Sequence, residues 1–200
     1  MKKIDIALLI GLIFTIVFSN ISAFANDYDE LRGNVVRLHI LANSDSNEDQ
    51  TLKLKVRDTI LAETKDLYQE NMSFYETEKM MYSNLDRFRA IAERVIAENG
   101  YNYSVQCELV NMKFDDRVYE NFTMPGGYYD ALRITIGEAK GHNWWCVMYP
   151  QLCVPAATKV EDCDKAFTNQ QQKMLKNPQK YKVKFKCVEV YNDLKKKLKH

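Results

Sequence analysis

Two hundred residues, 46% of them apolar and 28% charged, with only 7 Gly and 4 Pro, are enough for one domain with appendages and exclude a large multidomain enzyme, a disordered chain and a collagen-like repeat. The 28 basic side chains nearly cancel the 27 acidic ones, and a formal net charge of +1 provides no general field for nucleic acid or an anionic membrane. The local exception, Lys195-Lys196-Lys197-Leu198-Lys199-His200, reads as a solvated helix end.

Lys2 and Lys3 precede an apolar run from Ile6 to Phe18, and Ala23-Phe24-Ala25 supplies a small-x-small cleavage pattern. Residues 1–25 are therefore expected to be a secretory signal peptide. An uncleaved anchor is the alternative, since Ile6 to Phe24 is about long enough for a tilted span if Ser19, Asn20 and Ser22 are tolerated. Cleavage removes Lys2, Lys3 and Asp5 and leaves a neutral mature chain starting at Asn26. Export makes the five cysteines a redox question. Cys146 and Cys153 flank Pro150, where a turn could join them in a disulfide, whereas Cys107, Cys163 and Cys187 are left without assignment. The alternative is five small buried hydrophobes. Without a C-x-x-C pair, and with His142 the one nearby imidazole, no metal site is expected.

Val35 to Ala42 alternates with period two and predicts a first strand. Ser46 as N-cap with Asp49 at N3 predicts a helix from Asn47 to Gln69, its stripe running Leu52, Val56, Ile60 and Leu67 with Lys53, Arg57 and Asp58 directed elsewhere. A capping box at Ser73 and Glu76 opens a second helix through Met81, Leu85, Phe88, Ala92 and Val95, closed by Asn99-Gly100. A strand then runs from Tyr103 towards Phe114, followed by turn and loop to Tyr128. Tyr129–Gly137 and Asn143–Tyr149 are expected as two strands of an antiparallel hairpin. Thr158 to Gln179 reads as polar and weakly helical, Tyr181–Cys187 as an edge strand, and Val188–Leu198 as a terminal helix. The expected fold is α+β: a largely antiparallel sheet with two long helices on one face, in the order β-α-α-β-β-β plus a C-terminal strand and helix. Residues 26–155 would form the main domain and 156–200 an extension packed on it.

Motif chemistry identifies no enzyme. His39 beside Asp45 could form a base and its orienter, and His142 with Cys146 is the one Cys–His pair close in sequence, but strand, cap and disulfide roles compete for each. There is no Asp-Thr-Gly or Asp-Ser-Gly motif, and the glycines of Gly126-Gly127 and Gly137-Glu-Ala-Lys-Gly141 lack phosphate-loop or dinucleotide spacing. No cofactor is expected, and an exported interaction module is the default.

Three segments carry a family resemblance: Arg37-Leu-His-Ile-Leu-Ala-Asn-Ser-Asp45 with Asp49-Gln50, Leu52-Lys53 and Lys55-Val-Arg-Asp58; Pro125-Gly-Gly-Tyr128 with Ala131-Leu-Arg-Ile134; and Ile136-Gly-Glu138 through Gly141, Asn143-Trp-Trp-Cys-Val-Met-Tyr-Pro-Gln-Leu-Cys153. Over about Val35 to Val154 the chain resembles the stage II sporulation protein R family of endospore-forming bacteria. The resemblance implies a messenger made in the forespore and exported into the space between the two sporangial membranes. There it would activate a membrane-bound aspartic protease of the mother cell, which removes the pro-sequence of sigma factor E. Ala139 stands where the family tends to have glycine, Tyr149 where it tends to have Phe, and Gln151 where a second proline is common. Ala156 to Gln179 aligns with nothing in the family.

The candidate partner-binding residues are His39, Asn43 and Asp45 at the end of the first strand, Arg133 on the face opposite Leu132, Ile134 and Ile136, and Asn143, Trp144 and Trp145, of which one tryptophan would be core and the other an exposed anchor. Competing readings are a secreted hydrolase using His39 or His142 with Cys146, and a membrane-anchored structural protein of the septum.

Overall fold

The computed structural model describes residues 3–68, 72–119, 122–150 and 167–198. In chain order the elements are α1 (Lys3–Gly33), β1 (Val36–Leu41), α2 (Asn47–Glu63), a 3-10 turn (Lys65–Leu67), α3 (Phe74–Ser83), α4 (Leu85–Glu98), β2 (Val105–Phe114), β3 (Arg117–Val118), β4 (Thr123–Met124), β5 (Gly127–Ile136), β6 (Asn143–Tyr149), α5 (Asn169–Lys176) and α6 (Pro178–Leu198). The class is mixed α+β with a mainly antiparallel sheet, as expected. The chain divides into two compact units, one of Gly33–Phe114 with Tyr128–Ala166, the other of Met1–Arg32, Asp115–Gly127 and Phe167–His200.

The first unit holds a four-stranded sheet in the order β2-β5-β1-β6. β1 runs parallel to β5 and antiparallel to β6. β2 and β5 run in opposite senses, since Ser104 meets Gly137, Glu108 meets Arg133 and Asn111 meets Asp130. The expected β5–β6 hairpin is therefore wrong: β1 lies between them. Strands two places apart are separated by only about 10 Å, which the connection from Gly137 to His142 covers as easily as a direct turn. Period two in β1 separates Val36, Leu38 and Ile40 from Arg37 and His39. The apolar set packs with Leu132, Ile134 and Ile136 of β5 and Cys146 and Met148 of β6 against Leu52, Val56 and Ile60 of α2 and Phe88, Ala92 and Val95 of α4.

Ser46 caps α2 as expected, its hydroxyl accepting from the Asp49 amide. The helix stops at Glu63 rather than Gln69, which lies outside the described residues. Thr64 ends it, turning its own hydroxyl back on the Ile60 carbonyl at 2.7 Å. Lys53 and Arg57, which lie off the apolar stripe, are nevertheless buried, their heads reaching polar or aromatic partners. The Ser73 capping box forms, but the helix it opens breaks at Asn84, whose side-chain amide donates to the Met80 carbonyl at 2.8 Å. Asn competes with the helix ladder in this way, so one expected helix becomes α3 and α4. Gly100, at φ +81°, ends α4 as expected.

In the second unit, β3 and β4 pair within a segment expected to be loop. Tyr181–Cys187 is helical, not an edge strand. Its alternating lysines suggested period two, but Tyr181, Phe185 and Val188 also repeat at helical spacing, and this set packs: Val188 is buried while Val183 is 78% exposed. Pro178, at the first position of α6, has its φ preset for a helix start. Among the described residues no helix is long and apolar enough to cross a membrane.

Candidate functional site

Because β1 and β5 are parallel, both end at the same edge of the sheet, and antiparallel β6 begins there. The connections after β1 and after β5 consequently meet. Gly141 N–H donates to the Ala42 carbonyl at 3.0 Å and Lys140 N–H to the Asn43 carbonyl at 3.1 Å. The Asn43 side chain joins three segments, its Nδ2 donating to Asp49 Oδ2 at 2.8 Å and its Oδ1 accepting from the Glu138 amide at 3.0 Å. Ser44 Oγ donates to the same Asp49 oxygen at 2.5 Å, and Gln50 Nε2 donates to the Ser44 carbonyl at 2.9 Å. From beneath, buried Lys53 sends its Nζ to the His142 carbonyl at 2.8 Å and to Gln50 Oε1 at 2.5 Å. The glycines of this connection fit it closely. A Cβ on Gly137, whose φ is +57°, would strike the Asn43 side chain, and one on Gly141 would strike the Ser44 carbonyl.

On this stapled corner sit Asp45 and His142. Asp45 Oδ1 accepts from the His142 backbone amide at 2.5 Å and also meets the His142 ring at Nδ1. Their side chains are 54% and 79% exposed. The His142 amide first, and its ring second, hold the Asp45 carboxyl below the usual carboxylate range. Burial opposes ionisation of Asp49, but hydrogen bonds from Ser44, Asn43 and Tyr103 together outweigh it and keep that carboxyl below its ordinary range as well. Burial lowers the pKa of the Lys53 ammonium. The corner is a rigid, hydrogen-bonded platform presenting one carboxylate–imidazole pair to solvent.

The remaining candidates lie elsewhere on the sheet. His39 is on the face opposite the helices, where its ring stacks on Trp145 with centroids 3.9 Å apart and planes 3° apart. Phe114 meets Trp145 edge-on at 4.7 Å, and Arg37 lies 4.2 Å over Phe114 and 5.2 Å over Tyr129. Burial lowers the His39 pKa to about 4; the Asn143 side chain opposes this in part, and Arg133 and Arg37 reinforce it. His39 is thus a neutral core imidazole, and the pairing of His39 with Asp45 as base and orienter is corrected: Asp45 engages His142 instead. Trp144 faces the helices, with Arg57 over its ring at 4.1 Å. Both tryptophans are half-buried, so neither is a freely exposed anchor. Arg133 reaches Glu108 at 3.5 Å, the neighbouring-carboxylate role. Asn143 is exposed at the start of β6. The structure unites Asn43, Asp45 and the start of β6 but sets His39, Trp145 and Arg133 on the opposite sheet face.

Among the described residues Cys107 and Cys187 carry free thiols and Cys146 does not. Cys153, its expected partner, lies outside the described residues, as does Cys163. No group of three or more potential metal ligands occurs among the described residues. Ser44, Gln50 and Lys53 stand in the sequence only as part of the resemblance, not as site residues, and the Asp45–His142 pairing was not foreseen. The signal available was the spacing of Gly137 and Gly141, which marks a close approach of backbones.

A small α+β sheet protein whose polar sequence motifs converge on one stapled pair of loops is the class that fold and site define. The family model of Stage II sporulation protein R matches residues 32–159. Stage II sporulation protein R of Bacillus subtilis (strain 168) is 35% identical over 147 residues, covering 71% of this chain and 66% of that relative. The chain belongs to the stage II sporulation protein R family. No solved structure matches it.

Proposed function

We propose that this chain is a non-catalytic, exported signalling protein of sporulation that activates a membrane-embedded aspartic protease of the mother cell across the septum, triggering processing of the pro-sigma-E factor. It acts in the space between the forespore and mother-cell membranes, needs no cofactor, small-molecule substrate or nucleic acid, and contacts membrane only through its signal peptide. A Cys146–Cys153 disulfide closes the turn after β6 in that oxidising space.

One observation carries the reading. In a family with a sporulation role, the polar side chains of the motif are spent on holding two loops together, leaving Asp45 and His142 exposed on a rigid platform. Rigid presentation of a few polar groups suits recognition, because little side-chain entropy remains to be lost on binding. On a receptor with alternative states, such a ligand activates by binding one state more tightly.

The test is co-expression of this chain, with and without residues 1–25, with the protease and its pro-sigma substrate in a non-sporulating host. Processing that requires both the signal peptide and the protease is expected. Absence of processing with both proteins folded and correctly placed refutes direct activation.

A further inference from the structure

α1 runs unbroken from Lys3 to Gly33 and so passes through Ala23-Phe24-Ala25 in helical form. Its two halves differ. Ile4, Leu8, Leu12 and Phe14 are 57% to 70% exposed, whereas Phe24, Tyr28 and Leu31, at helical spacing, are buried. Phe24 is held by three aromatic rings: it stacks on Tyr28 at 6.3 Å and on Tyr181 at 5.6 Å, and it tilts against Phe185 at 5.2 Å. Phe185 also meets Tyr28 at 5.2 Å, and Lys184 Nζ lies 5.3 Å from the Phe24 ring. Tyr28 is fixed in turn by its hydroxyl, which donates to the Gly126 carbonyl. The residue between the two small positions of the cleavage pattern is thus a core residue of the unit that α6 completes.

A protease cuts an extended strand, not a helix, so hydrolysis of a packed helical segment waits for local opening. We infer that docking of α6 guards the Ala25–Asn26 bond: once Tyr181 and Phe185 close over Phe24 the processing site is shut, and a chain that docks before it is cut stays joined to its apolar segment. α6 follows α1 by about 145 residues in the chain, so it is made later and processing has a window before the guard forms. The split between processed and unprocessed messenger is then set by a race between cleavage and docking. The chemistry is ordinary hydrolysis, in which water adds across the amide to give a carboxylate at Ala25 and an amine at Asn26. The inference rests on the exported-signal reading above.

The experiment uses the full chain folded in detergent micelles with a bacterial signal peptidase, and follows the new N-terminus at Asn26. A synthetic peptide of residues 1–40, which lacks α6, is the unguarded control. Tyr181→Ala and Phe185→Ala loosen the guard without touching the cleavage sequence, and Val183→Ala changes the exposed side of α6. The expected result is rapid cutting of the peptide, cutting of the folded wild type and Val183→Ala slower by about 10- to 100-fold, and recovery of most of the lost rate in the other two variants, the scale set by burial of one aromatic side chain. Folded wild type cut as fast as the peptide, or aromatic variants as slow as wild type, overturns the guard. A peptide left uncut at that bond instead refutes the signal-peptide reading, and the guard with it.

Discussion

Replacing Asn43 by Ala tests whether the corner is held as described. The substitution removes the donor 2.8 Å from the Asp49 carboxylate and the acceptor of the Glu138 amide at 3.0 Å. A hydrogen bond to a charged acceptor contributes about 1.5–3 kcal/mol and one to an amide that water can reach about 0.5–1 kcal/mol. Ser44 still serves Asp49, so the loss should total about 2–3 kcal/mol. With a urea dependence of about 2 kcal/mol/M the midpoint falls by roughly 1–1.5 M. The deficit must also depend on pH. Asp49 has a folded pKa below its ordinary value, so its hydrogen bonds stabilise the fold above the unfolded carboxylate pKa, and that contribution is lost as pH falls through the lower folded value. Wild type and variant should therefore converge in acid. Urea titrations followed by tryptophan fluorescence at neutral and acid pH measure both effects. A deficit below about 0.5 kcal/mol, or one that stays constant across the acid range, refutes the staple.

Asp45→Asn and Asp45→Ala, at an exposed position, should leave the thermal midpoint within about 2 °C of wild type yet lower pro-sigma processing at least about tenfold in the co-expression assay, as a lost interface contact of about 1.4 kcal/mol would; wild-type processing from both removes Asp45 from the recognition surface. His39 has a folded pKa of about 4 against an ordinary 6.5, so its stability contribution is present above 6.5 and is lost as pH falls towards about 4; His39→Phe should flatten that part of the stability curve, and an unchanged curve would mean another group titrates there. Ala139 has φ +53°, so Ala139→Gly should stabilise by about 0.5–1 kcal/mol, as relief of left-handed strain outweighs the added freedom of the unfolded chain; a lower thermal midpoint would contradict this. Among the described cysteines in unreduced protein, exposed Cys187 should react faster with a thiol reagent than Cys107, whose thiol burial pushes up to about 12, and Cys146 not at all; rapid labelling of Cys146 would exclude its disulfide.

The elements legible in sequence are those in which local chemistry and packing agree. Ser46 and Ser73 announce helix starts by satisfying first-turn amides, and alternation in Val36–Ile40 reports a strand with one face on the core. What was not legible depends on partners distant in sequence. Nothing local to Gly137–His142 states that β1 fills the space between the strands it joins. Periodicity set Lys53 off the apolar stripe but could not say what it meets, since its carbonyl partner is contributed by a residue 89 positions on. Tyr181–Phe185 carries both periods at once, and the choice falls to Phe24 and Tyr28, more than 150 residues upstream. The candidate site divided along the same line: Asn43 and Asp45 were found because they end a strand, while the Asp45–His142 pair needed the fold to bring residue 142 to residue 45.

Seven of the residues through which the chain resembles its family staple the corner. Asn43, Ser44, Asp49, Gln50, Lys53, Gly137 and Gly141 each have an architectural reason to be what they are: a hydrogen bond, a buried ammonium, or a backbone approach that no Cβ would fit. Such a motif locates a functional region without itself being the contact surface, because it is what makes a flat sheet edge into a fixed platform. Ala139 makes the same point from the other side. The family tends to have glycine there, this chain holds an alanine at a positive φ, and the turn forms all the same, with Ala139 N–H donating to the Ile136 carbonyl at 3.1 Å. The turn thus closes with an alanine held in the left-handed region. On the proposed reading, recognition falls to the groups that stay exposed on this corner, the heads of Asp45 and His142.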